Sequence, residues 1–150
     1  MEQILISESY EDRYERKNHI VGISIWEFEW CPKYRYKMFK KVKYRNLVEG
    51  CIRKAAREHK MEWIELNVQP EHIHGTVAIP MSMSPSKALQ LLKGRSSYLF
   101  FKNHPKARLR YPKGHLWSRG KFAASLGFIQ LETANAYVKN QDEHHGTKWI

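Results

Sequence analysis

The chain has 150 residues, 42% of them hydrophobic and 13% aromatic, with a formal net charge of +11. That length and composition fit one folded domain and exclude disorder and a membrane span, because no apolar run approaches the ~20 residues a spanning helix needs. The charge lies in blocks: residues 31–60 carry eleven bases and two acids, and residues 72–131 carry ten bases and no acid. Blocks of one sign point to a polyanionic partner, most simply nucleic acid.

Residues 1–18 read as a loosely packed, polar leader with neither a signal-peptide nor a transit-peptide pattern. HIVGISIWEFEW, 19–30, alternates and is rich in β-branched and aromatic residues, so it predicts a strand. CPKYRYK breaks it. In 30–45, Trp30, Tyr34, Tyr36, Phe39 and Tyr44 alternate with Lys and Arg. Bases neutralise phosphates and aromatic faces stack on unpaired nucleobases, so this run favours single-stranded or irregular nucleic acid. From about Lys43 to His59, Leu47, Val48, Cys51, Ile52, Ala55 and Ala56 recur at helical spacing. MEWIELNV, 61–68, sets Ile64, Leu66 and Val68 on one face and Glu65 and Asn67 on the other, and with HIHGTVAIP it predicts a hairpin over 61–79.

Ser84-Pro85-Ser86 marks a helix start, and the helix is expected to run to about Lys102. Residues 103–118 read as a basic, Pro-containing loop, 121–128 as a short strand and 131–141 as a last helix. The order β-α-β-β-α-β plus a C-terminal helix is the ferredoxin-like α+β plan: an antiparallel sheet with two helices on one face. The whole chain is expected to form one domain. Two cysteines, Cys31 and Cys51, suggest neither a disulfide framework nor a zinc knuckle, so a reduced, intracellular protein is expected.

Two constellations carry chemistry. On a strand, residues i and i+2 share a face, so His72 and His74 project together with Thr76, while Ile73, Val77 and Ile79 face the helices. Two imidazoles on one strand face can hold a divalent cation if a third ligand exists; without one they are two half-exposed histidines. On the last helix, Tyr137 and Gln141 stand four apart and so share a face. A tyrosine hydroxyl can act as a nucleophile on an electrophile that a metal has neutralised, and a glutamine carbonyl can ligate that metal. Taken alone, the pair also reads as a core tyrosine beside a surface glutamine.

Together these segments resemble the IS200/IS605 family of single-tyrosine transposases, members of the HUH (His, hydrophobic, His) endonuclease group. HIVGISIWEFEWCPKYRYKMF resembles the family's first strand and its WCPKYR segment, and PEHIHGTVAIP its HUH strand. LLKGRSS, LWSRGKFAASLG and ETANAYVKNQ resemble its second helix, the approach to its last strand and its Tyr-x-x-x-Gln helix. The resemblance spans about residues 18 to 142. It departs at Gly75, where the family often has a bulky aliphatic residue, and at Lys121, where an aromatic is common.

The resemblance implies that His72, His74 and Gln141 bind Mg²⁺ or Mn²⁺ and that Tyr137 is the catalytic nucleophile. It also implies a 5′-phosphotyrosine intermediate with a free 3′-OH, formed without ATP or any nucleotide cofactor. The implied partners are single-stranded DNA with hairpin ends and a second copy of the chain, in a homodimer with possible composite sites, within a prokaryotic cytoplasm and away from membranes. Candidate phosphate contacts are Lys33, Arg35, Lys37, Lys93, Arg95, Arg119 and Lys121. The competing expectations are a domesticated relative that processes palindromes, a metal-dependent nuclease using water, and a non-catalytic single-strand-binding module of the same fold.

Overall fold

The computed structural model describes residues 15–17, 20–22, 24–35, 37–140 and 149. Strands β1 (Glu15–Lys17) and β2 (Ile20–Gly22) pair antiparallel as a ribbon of their own. The main sheet has four strands: β3 (Ile25–Pro32), β4 (Glu62–Val68), β5 (Ile73–Ala78) and β6 (Trp117–Ser125). Their order is β4-β5-β3-β6, antiparallel throughout. This is the ferredoxin-like α+β arrangement that the order of elements predicts.

Helices α1 (Val42–Glu58) and α2 (Pro85–Asn103) pack on each other and on one face of the sheet. Their apolar stripes, including Val48, Ile52, Ala55, Leu89, Leu92 and Phe100, close over Phe28, Trp30, Val68, Ile73 and Val77. Each large side chain fully buried here contributes on the order of 1.5–3 kcal/mol. Trp30 meets Trp117 edge to face at 5.8 Å, so both tryptophans belong to the core rather than to a base-stacking surface. Cys51 is buried in the same stripe, and burial pushes its thiol pKa up, which leaves it unreactive. Ser84 caps α2 as its sequence suggests: its Oγ accepts from the Lys87 amide at 3.1 Å, with Pro85 opening the helix.

Three boundaries differ from expectation. The first strand divides into β2 and β3, and residues 15–17, within the stretch read as a leader, pair with β2. Strand β6 begins at Trp117 rather than Lys121, because Trp117 pairs with Pro32 and its indole Nε1 donates to Ser96 Oγ at 3.0 Å. Helix α3 (Phe128–Lys139) starts three residues early.

Strand β4 carries an irregularity. Trp63 pairs with Val77 and Glu65 with Thr76, so Ile64 is the extra residue of a bulge. Trp63 therefore takes the core-facing position expected of Ile64. A Cβ added to Gly75 would lie 2.6 Å from the Trp63 ring and 2.7 Å from the Glu65 carbonyl oxygen. The glycine after the histidine pair is the counterpart of this tryptophan, which fills the space a bulky residue would use.

Candidate active site

The second face of the sheet is covered over β4 and β5. Helix α3 packs against β4 and β5 on the side away from α1 and α2. Two polar ties hold it. Asn67 Nδ2 donates to the Val138 carbonyl at 3.2 Å, satisfying an acceptor in the last turn of the helix. Thr76 Oγ1 donates to Asn135 Oδ1, and both residues are buried. Gln69 Nε2 steadies Asn67 by donating to its Oδ1 at 2.6 Å.

His74 lies under this helix and is buried at 3% exposure. His72 immediately precedes β5 and is half-buried, and its carbonyl accepts the Gln69 amide at 2.8 Å to close the turn. The two imidazole centroids stand 6.5 Å apart. The Tyr137 ring, 44% exposed, meets the His74 ring edge-on at 5.6 Å. One side of the tyrosine is thus fixed against the histidine strand while the rest reaches solvent. Gln141 lies outside the described residues.

A carboxylate joins this group. Glu27 of β3 brings Oε1 to 2.7 Å from His74 Nε2. The signal was present in IWEFEW: alternation puts Trp26, Phe28 and Trp30 on one face and sends Glu27 and Glu29 to the other, and the register sets Glu29 opposite His74 and Glu27 opposite Thr76. Asn67 and Asn135 are the other site residues that sequence reading did not single out.

Two imidazoles are nitrogen donors a divalent cation takes, so the chemistry of His72 and His74 fits such an ion. Among the described residues, no group of three His, Cys, Asp or Glu side chains is assembled to hold one.

The candidate phosphate contacts fall in separate places. Lys93 and Arg119 line a groove of about 770 Å³ beside Phe101 and Trp117. Lys93 Nζ donates to the Ser118 carbonyl at 2.8 Å. Burial, and then the nearby charge of Lys121, hold its pKa below the usual lysine value. Lys121 itself is exposed on β6. Lys33 leans over the Tyr34 ring at 5.1 Å, and Lys37 pairs with Glu71 at 3.3 Å. Arg95 pairs with Glu58 at 2.8 Å and lies over Tyr98. The Arg35 side chain is outside the described set.

The family model for IS200-like transposases matches residues 23–141. The chain belongs to this family. The IS200 transposase of Salmonella typhimurium is 29% identical over 131 residues, covering 87% of this transposase and 80% of the relative. The ISDra2 transposase TnpA of Deinococcus radiodurans is 27% identical over 118 residues, covering 76% and 81%. Among solved structures, a chain from Deinococcus radiodurans R1 described as a transposase candidate superposes with a TM-score of 0.66 at 19% identity, over 85% of this chain and 97% of that one. A REP-associated tyrosine transposase bound to a REP hairpin superposes with a TM-score of 0.62 at 17% identity, over 91% and 75%. At those identities the structural likeness bears on the fold of this transposase alone. No helix among the described residues is long and apolar enough to cross a membrane.

Proposed function

We propose that this transposase cuts and rejoins single-stranded DNA through a covalent bond to Tyr137. The observation that carries the reading is the edge-on contact between Tyr137 and the buried His74, which joins a hydroxyl nucleophile to the HUH strand. The Tyr137 Oη attacks the scissile phosphorus, and the bond from phosphorus to the 3′ oxygen breaks. The 5′-phosphate stays on the tyrosine, the strand end leaves as a 3′-OH, and the phenol proton balances the 3′ alkoxide. The phosphodiester energy is kept in the new ester, so a 3′-OH can reverse the step without ATP.

His72, His74 and Gln141 would hold a Mg²⁺ or Mn²⁺ ion, whose charge, when bound, offsets that developing on the phosphate oxygens. Glu27 fixes the ring of His74 through its Nε2, the part a carboxylate commonly plays beside a ligating imidazole. One nucleophilic tyrosine per chain handles one strand end, so two ends call for a homodimer. The hairpin bound by the REP-associated relative supports hairpin-ended DNA as the substrate class.

Incubation with a 5′-overhanging hairpin oligonucleotide and Mg²⁺, followed by a denaturing gel, tests this. A covalent adduct absent from Tyr137→Phe is expected. Cleavage that persists in Tyr137→Phe would instead mean hydrolysis by water, and binding without cleavage in any divalent metal would mean a binding module. His72→Ala and His74→Ala are expected to abolish cleavage and largely keep binding, since phosphate contacts supply most of the affinity.

A further inference from the structure

A second concavity, of about 320 Å³, opens between the segment entering α1 and the turn after α2. Lys37, Lys40, Lys41, Lys106 and Arg110 line it, and no acidic residue does. Tyr44 and His104 form part of its wall, their rings stacked 4.5 Å apart.

The helix that starts here adds to the positive potential. Helix α1 starts here with Lys41 as its N-cap, no side-chain cap and no acid in its first turn, so the positive end of its dipole is unbalanced. Lys37 sits in the left-handed region at φ 55, a conformation that costs a non-glycine residue on the order of 1 kcal/mol. Cations gathered in one cleft repel one another, and an anion relieves that repulsion.

The cleft also connects to the histidine strand. Lys37 both lines it and pairs with Glu71, the residue before His72. We propose that this cleft holds the backbone phosphates of the DNA strand that flanks the segment on the histidine face. This rests on the single-strand reading above and names a part of the site that the candidate contacts did not: apart from Lys37, none of its bases was among them. A phosphate arriving from His72 would first take Lys37 from Glu71 and then meet Lys40, Lys41 and Lys106.

The test is fluorescence anisotropy of the full chain with a labelled single-stranded oligonucleotide over a salt series, with Lys40→Ala/Lys106→Ala compared against Lys54→Ala/Arg57→Ala on the exposed side of α1. Each lost single-strand phosphate contact lowers the slope of log K on log salt by about 0.7, so the cleft variant is expected to lose about 1.4 in slope and more than about tenfold in affinity near 0.1 M salt. The α1 variant should match wild type, and circular dichroism checks that both fold. Wild-type slope and affinity in the cleft variant, in protein that still forms the Tyr137 adduct, would overturn the cleft while leaving the chemistry intact. Absence of the adduct from wild-type protein would instead overturn the functional reading.

Discussion

The rings of Tyr137 and His74 meet edge-on, 5.6 Å between centroids, across the interface between α3 and β5. Neither residue makes that contact by local geometry. It depends on where α3 docks, and two polar ties, Asn67 to the Val138 carbonyl and Thr76 to Asn135, set that position.

Removing one tie should therefore disturb the nucleophile more than the fold. Asn67→Ala removes the donor to the Val138 carbonyl and the acceptor of the Gln69 Nε2 hydrogen bond, at a cost of about 1–3 kcal/mol. Urea denaturation is expected to show that loss, with adduct yield falling further than the folded fraction explains. Equal falls in both would mean that α3 is held by other contacts.

Glu27 is expected to act through His74. Glu27→Ala should weaken Mn²⁺ binding by roughly 10- to 100-fold, as loss of a partner to a ligating imidazole does. Glu27→Gln, which can still accept from the ring, should lose less. Isothermal titration measures both, and wild-type affinity in Glu27→Ala would remove Glu27 from the site.

Gly75 has a packing role at the centre of β5. Gly75→Val drives a branched side chain into the Trp63 ring and the Glu65 carbonyl, and overpacking of this kind costs about 1–3 kcal/mol or more. Thermal unfolding is expected to show the loss, and Trp63→Leu in the same chain should recover part of it. No recovery would mean that the Glu65 backbone, which cannot move aside, dominates the clash.

Arg95 supplies a pH prediction. Its hydrogen bond holds the Glu58 carboxyl below the ordinary value of 4.5. A carboxyl depressed in the folded state contributes stability above its unfolded pKa and loses it as pH falls through the folded one. The group is exposed, so the contribution is small. Carbon-detected NMR titration should show Glu58 moving up towards its ordinary value in Arg95→Ala; no movement would free Arg95 for DNA.

Much of this was legible in the sequence, and the reasons are local. Ser84-Pro85 fixes a helix start through a cap, and the alternation in HIHGT fixes which side chains share a face. Sequence did not reveal that α3 covers that face, because docking is a tertiary choice between two available surfaces. For the same reason Asn67 reads as a polar surface residue, yet it is buried as a tie. Trp117 reads as loop because Pro112 and Gly114 precede it, and only pairing with Pro32 makes it strand. The bulge at Ile64 breaks a clean alternation that nothing nearby announces.

The Tyr137 oxygen is expected to become the ester of a cut DNA strand. Tandem mass spectrometry of the protease-digested adduct tests it directly. A nucleotide 5′-phosphate is expected on the peptide containing Tyr137 and on no other tyrosine. Cleaved DNA with an unmodified Tyr137 peptide, or with the phosphate on a different residue, would contradict it.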